Sequence, residues 1–250
     1  MKTHRIVVLA ACLALLGSAA GPAPPAQDMA APILQNINAR TRQVTSFNAR
    51  FRQTSTDPTF GETDVSSGRM YFLKKSPTEG QPATTYLVRF DYLKPELSVT
   101  IMNEAKIILW QKGAAPQEHA MVDNLTMRTL LAGLTSLDEL HEQFLISITS
   151  QSHTRVTLKL TPASDVARRT FRELFVTFDT HSWLPVTVQQ NKLSGEHVTL
   201  QFEEPVVNRS ISAELFTLAY LQRQISSQQT SKPKSKPTPA PRPPAPPPAR

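Results

Sequence analysis

The stretch SFNARFRQ, residues 46–53, alternates apolar and polar side chains with a period of two. Phe47, Ala49 and Phe51 therefore share one face of an extended chain, because successive side chains of a β-strand point to opposite faces. A strand with one apolar and one polar, solvent-exposed face is typical of antiparallel sheets. The same pattern recurs along the chain, and its recurrence decides the fold class.

Further segments of this kind make up roughly ten short strands, separated mostly by gaps of turn length. Besides the first, they are residues 69–75, 86–92, 97–103, 106–111, 144–149, 155–161, 172–179, 185–191 and 196–203. One helical interruption, with Leu130, Leu131 and Leu134 clustered on one side, separates the two groups of strands. We therefore predict a mainly β fold, built as an antiparallel sheet, sandwich or barrel with a few short helices.

The apolar positions of the strands form one predicted face. Its principal members are Phe47, Phe51, Met70, Phe72, Val88, Phe90, Val99, Ile101, Val176, Phe178, Val188 and Leu200. Periodicity alone favours an ordinary core covered by helices. The alternative is an apolar cavity with a helical lid, because a wide single sheet with few helices to cover it tends to curl.

The N-terminus has the pattern of a secretory signal. Lys2 and Arg5 precede an apolar run at residues 6–16 that is short for a membrane span, and Ser18 and Ala20 fit a cleavage site. We expect a signal peptide at residues 1–20, a folded domain at 28–222 and export to the periplasm. An uncleaved anchor would need a longer apolar run.

Cys12 is the only cysteine in the chain. The tetrad LAAC, residues 9–12, resembles a lipidation motif, but few apolar residues precede it and the apolar run continues after it. If the signal is removed, the mature chain has no cysteine, which excludes disulfides and thiol catalysis.

The net charge of +7 does not indicate a nucleic-acid-binding domain. Residues 21–230 are neutral overall, and the excess comes from Lys2, Arg5 and five basic residues of the Pro-rich tail at 226–250. We expect this tail to be extended. It acts either as a solvated spacer or as a contact to anionic head groups.

No catalytic constellation is evident. The six histidines are scattered, and the chain has neither a serine-hydrolase elbow nor a nucleotide-binding loop. We therefore expect a protein that is not an enzyme and needs no metal or cofactor.

Five segments taken in order resemble the LolA family of outer-membrane lipoprotein carriers. They are SFNARFRQ, GRMYFLKKSP, YLVRFDYLKPELSVTIMNEAKIILW, FRELFVTFD followed by WLP, and ISAELF. The resemblance covers roughly residues 29–220. It implies an unclosed antiparallel β-barrel, or half-barrel, whose mouth is covered by helices and whose apolar interior receives the acyl chains of lipoproteins. It also implies loading by an ATP-driven inner-membrane transporter, delivery to an outer-membrane acceptor and a monomeric carrier.

The family carries an arginine that hydrogen-bonds the lid. Counting from Gly68 places Lys74 at that position, on the same predicted face as Met70 and Phe72. A lysine lacks the planar fork of arginine, so the resemblance implies a weaker latch at Lys74. A lysine with its ammonium in solvent fits the pattern equally well.

Two other functions remain open at this point. One is the acceptor, a lipidated protein of the same fold whose mature chain would begin at Cys12. The other is a binding module that senses lipid or mislocalised lipoprotein and signals through the basic tail.

Overall fold

The computed structural model describes residues 27–59, 61–75, 85–103, 106–121 and 125–230. The predicted signal peptide, Cys12 and the tail beyond residue 230 lie outside these ranges. Within them the protein is mainly β, with one antiparallel sheet of 11 strands that does not close into a barrel. The predicted half-barrel is confirmed.

The first half of the chain contributes six strands and the second half five. The order is α1 (Gln27–Gln43), β1 (Ser46–Thr56), β2 (Thr63–Lys75), β3 (Thr85–Lys94), β4 (Ser98–Met102), β5 (Lys106–Gln111), β6 (Gln117–Ala120), α2 (Leu125–Leu130), α3 (Leu137–His141), β7 (Phe144–Gln151), β8 (Arg155–Pro162), α4 (Asp165–Thr170), β9 (Phe171–Asp179), β10 (Pro185–Lys192), β11 (His197–Val207), a 3-10 turn (Ala213–Phe216) and α5 (Leu218–Thr230).

The order of strands across the sheet explains where the helices lie. It runs β6-β5-β4-β3-β2-β1-β11-β10-β9-β8-β7, so β1 and β11 pair at the centre. Strands β1 to β6 follow one another from the centre of the sheet to one edge. Strands β7 to β11 follow one another from the opposite edge back to the centre. The connection between β6 and β7 must therefore cross from one edge to the other, and it carries α2 and α3.

The inner face of the sheet holds the main core. The sheet has two arms, strands β1–β6 and strands β7–β11. Side chains from both arms, including Val88 of β3 and Leu158 of β8, join one buried cluster with residues of α1, α3 and the segment after α2. The two arms meet in one cluster because the sheet curls, as wide twisted sheets do. The alternation seen in residues 46–53 thus corresponds to the inner face.

Val99 and Ile101 are the exceptions, and their predicted placement on this face is wrong. The turn after β3 sets a register in which Val99 lies opposite Asp91 and Ile101 opposite Arg89, on the outer face. Both join a second apolar cluster under the C-terminal residues. The inner position of this strand is taken by Met102, opposite Val88.

Three elements were not predicted. β6 and α4 are short, and their sequences show little of the apolar periodicity of a strand or a helix. Helix α5 runs to Thr230, past the predicted start of the extended tail at residue 226. Its residues look polar and low in complexity, but the helix packs Leu221 against the outer face of the sheet, where Leu221 is 1% exposed.

Candidate functional site

The inner face brings ten of the predicted cavity residues into one buried cluster. None of them is more than 2% exposed. They are Phe47, Phe51, Met70, Phe72, Val88, Phe90, Val176, Phe178, Val188 and Leu200. Their strands belong to both arms of the sheet, so the face is one continuous apolar surface that the protein's own side chains cover in this conformation.

The cover consists of α2, α3 and the turn between them, residues 125–141, which we call the lid. Leu131 and Leu134 of the turn are buried in the main cluster, and Leu130 is partly buried against it. Gly133 lies so close to the sheet that a Cβ atom there would stand 2.3 Å from the Cβ of Pro185. The turn thus rests directly on strands β9 and β10, and glycine is needed for this close approach.

Two polar side chains of the sheet hold the lid. The Tyr86 hydroxyl of β3 lies 2.7 Å from each carboxylate oxygen of Glu139 in α3. On the other arm, the Gln190 amide donates to the Thr129 hydroxyl of α2 at 3.3 Å. Tyr86 and Gln190 are both buried, so these bonds are shielded from water and weigh more than surface bonds do.

Helix α1 holds the lid from its other side. The side-chain oxygen of Asn38 accepts from the Leu137 backbone N–H at 3.1 Å, and Arg42 forms an ion pair with Asp138. The bond from Asn38 satisfies one of the free N–H groups in the first turn of α3. Because the Arg42–Asp138 pair is exposed, we expect it to orient the lid more than it stabilises it.

Lys74, the predicted latch, lies directly opposite Tyr86 in the pairing of β2 with β3. Its side chain is partly buried, and among the described residues no carboxylate lies within ion-pair distance of its ammonium. The hydrogen bond to the lid comes instead from Tyr86, its cross-strand neighbour. The sequence did offer a signal for Tyr86, since it alternates in phase with Val88 and Phe90.

The apolar inner face ends at a polar margin. The Tyr92 hydroxyl donates to Gln53 at 3.1 Å, and burial raises the pKa of Tyr92 to about 12. Tyr92 and Gln53 thus place a polar contact beside the apolar cluster.

The outer face carries a buried arginine that the sequence did not single out. Arg89 is 2% exposed and forms an ion pair with Asp91 at 2.6 Å. Its other hydrogen bonds reach the Leu215 carbonyl at 2.8 Å and the Gln224 side chain at 2.7 Å. Burial raises the pKa of Asp91, and the charge of Arg89 opposes that rise.

These features define a class of protein, an open β half-barrel whose continuous apolar inner face lies beneath a helical lid. Within the described ranges, no three metal-ligating side chains come together. Among the same residues, no helix has both the length and the apolar character needed to cross a bilayer.

The chain belongs to the LolA family. Residues 42–219 match the family model described as outer membrane lipoprotein carrier protein LolA. Proteins of this family are binding and carrier proteins that act outside the cytoplasm. No curated protein sequence matches the chain.

The solved structures that match the chain are distant in sequence. The MucA/MucB complex of Pseudomonas aeruginosa matches at 13% identity and a TM-score of 0.40, over 76% of this chain and 61% of that one. A LolA superfamily protein of Nitrosomonas europaea matches at 12% and 0.38, over 75% and 98%. Lipoprotein LppX of Mycobacterium tuberculosis matches at 11% and 0.38, over 73% and 98%. The chain thus spans about three fifths of the MucB chain that it matches.

Proposed function

We propose that this protein is a periplasmic carrier that shelters the acyl chains of lipoproteins against its inner face and moves them from the inner to the outer membrane. The observation that carries the proposal is the continuous apolar inner face under a lid that is held to the sheet by buried leucines and a few polar bonds. Membership of the LolA family supports the same function.

The lid must move for cargo to enter, because the protein's own side chains cover the inner face. Removing Leu131 and Leu134 from the core costs about 1.5–3 kcal/mol each. An acyl chain of about fifteen carbons gains on the order of 12 kcal/mol when it leaves water, at about 0.8 kcal/mol per methylene. One acyl chain can therefore offset the exposure of these two leucines. Displacing the whole lid would also expose Leu125, Leu137 and Leu140, which raises the cost to about the gain from one acyl chain.

The same energy makes unassisted extraction of cargo from a membrane slow. The proposal accordingly includes two partners, an ATP-driven lipoprotein-releasing complex of the inner membrane that loads the carrier and an acceptor at the outer membrane that takes the cargo. A carrier of this kind works as a monomer, and its ligand site comprises the ten inner-face residues together with Leu130, Leu131 and Leu134.

Binding of an apolar reporter dye and of an acylated peptide to the purified protein tests the site. We expect Leu131→Glu to reduce binding at least about tenfold. A carboxylate in an apolar site costs more than about 1.4 kcal/mol, the free energy that corresponds to a tenfold change in affinity. Leu193→Glu is the matched control, because Leu193 is 51% exposed and should tolerate the same charge.

Phe90→Ala provides an independent check from the sheet side, with folding followed by circular dichroism. Binding that stays unchanged in folded Leu131→Glu and Phe90→Ala proteins would show that the ligand site lies elsewhere. Recovery of bound lipoproteins from periplasm, identified by mass spectrometry, would name the natural cargo.

A further inference from the structure

The centre of the outer face carries an arginine pocket that the carrier function does not use. A cavity of about 330 Å³ lies where β1 and β2 meet the residues that follow β11. Three arginines and one glutamate, Arg50, Arg69, Arg209 and Glu204, supply all its charged lining residues. Glu203 of β11 also pairs with Arg50, at 3.8 Å, so the three arginines face two carboxylates. The pocket is therefore positively charged on balance.

Two of these arginines are cross-strand neighbours, an arrangement in which their charges repel each other. Arg50 and Arg69 lie directly opposite each other in the β1–β2 pairing. Opposed residues bring their Cβ atoms to about 5 Å, and like charges in such positions are destabilising. The carboxylate opposite Arg69 on its other side, Asp91, already forms an ion pair with Arg89 at 2.6 Å.

A bulge in β11 shapes the pocket. The pairing of β1 with β11 shifts between Asn48 and Arg50, and Glu204 in the bulge has a φ of 52°. Residues other than glycine seldom adopt this conformation, and bulges often lie next to functional sites. The bulge brings Glu204 into an ion pair with Arg50, so its carboxylate occupies part of the space in which an anion would meet that guanidinium.

The backbone that carries Arg209 is fixed by hydrogen bonds. The Asn208 side chain accepts from the Thr45 N–H at 2.9 Å and donates to the Gln43 carbonyl at 3.1 Å. The Ser46 hydroxyl donates to the carbonyl of Arg209 itself at 2.6 Å. The backbone of the third arginine is thus fixed before any ligand arrives, so binding has to order only its exposed side chain.

From this arrangement we propose that Arg50, Arg69 and Arg209 form a binding site for the phosphate group of an anionic ligand. A carboxylate has two oxygens, which a single guanidinium fork satisfies. A phosphate offers several oxygens in a tetrahedral array and can be shared among three forks. The site is on the face opposite the lid and is independent of the proposed carrier function.

Titration calorimetry at low ionic strength with inorganic phosphate, and co-sedimentation with phosphatidylglycerol vesicles against phosphatidylcholine vesicles, test the proposal. The double variant Arg69→Gln/Arg209→Gln should lose about tenfold or more in affinity, because it removes charge-assisted hydrogen bonds. Arg52→Gln is the matched control, since Arg52 is an exposed arginine of β1 that does not line the pocket. Glu204→Gln should bind more tightly, because it removes one of the two carboxylates paired with Arg50, the other being Glu203 at 3.8 Å.

Saturable binding of inorganic phosphate with this pattern of variants identifies a soluble phosphate compound as the ligand. The same pattern with phosphatidylglycerol vesicles alone identifies a lipid head group, and both results support the site. Three results would overturn it: no saturable binding of either probe, an equal loss in Arg52→Gln, or vesicle binding that survives the double variant. The last of these would assign the binding to another basic segment.

Discussion

Tyr86 and Glu139 fasten the lid by one buried polar contact. The ring of Tyr86 stacks on Phe72 within the apolar face, with a centroid distance of 5.9 Å, while its hydroxyl reaches the lid. Glu139 is also bonded by Ser136, the residue that caps α3. Tyr86 therefore contributes its ring to the apolar inner face and its hydroxyl to a hydrogen bond that holds the lid.

Replacing Tyr86 by phenylalanine should keep the stacking and remove the bond. We expect a loss of about 1–2 kcal/mol in the free energy of unfolding, as for a hydrogen bond to a charged, partly accessible acceptor. Amide exchange at α3 should become faster, and the reporter dye should bind more quickly. Urea denaturation and hydrogen exchange measure these effects, and Tyr220→Phe is the control. Unaltered exchange at α3 would show that other contacts hold the lid.

Among the elements, the C-terminal segment, residues 213–230, has an unexpected structural role. It covers Leu87, Ile101 and Trp110 on the outer face of the sheet, although Ile101 was predicted on the inner face. The buried Arg89 ties the segment down at Leu215 and Gln224, and its guanidinium lies 5.8 Å from the ring centre of Tyr220. Strands β3, β4 and β5 thus have buried apolar side chains on the outer face as well.

Arg89→Ala should release this segment. We expect a destabilisation of about 2–3 kcal/mol, because the change removes the bonds to Leu215 and Gln224 and takes the main partner from the partly buried carboxylate of Asp91. Arg223→Ala is the matched control, since Arg223 lies in α5 and its ion pair with Glu214 is exposed. Denaturant unfolding measures both variants. If Arg89→Ala costs no more than the control, Arg89 does not hold the segment.

At the scale of the whole molecule, the lid crosses the open sheet and covers its inner face. The strand order places both ends of the lid at opposite free edges, while β1 and β11 at the centre are held on both sides. If the lid moves as the proposed function requires, the central pairing can stay intact, because neither β1 nor β11 is an edge strand.

Binding of an acylated peptide should reveal this separation. Hydrogen exchange should become faster at residues 125–141 when cargo displaces the lid, while amides of β1 and β11 keep their protection. Mass spectrometry with and without the peptide, and with a non-acylated peptide as the control, measures the change. Slower exchange in the lid on binding would contradict an opening mechanism and indicate a ligand that binds over the closed lid.

Much of the inner face could be predicted from local alternation. Phe47, Met70 and Val176 lie on one buried surface because each strand has a period of two and one face in the core. The assignment failed for Ile101, although Val99 and Ile101 alternate with Ser98 and Thr100 as in a strand whose apolar side faces the core. Its direction depends on the register with β3, which a turn sets and periodicity does not contain.

The sequence by itself determined the mainly β class, the apolar face and the helical break between the two groups of strands, because these follow from side-chain order along the chain. The tertiary structure alone decided which residues fasten the lid, why Arg89 is buried and how three arginines come together. These features join positions such as Tyr86 and Glu139, or Arg89 and Gln224, that lie far apart in sequence. Their contacts depend on strand order and register, which only the folded sheet establishes.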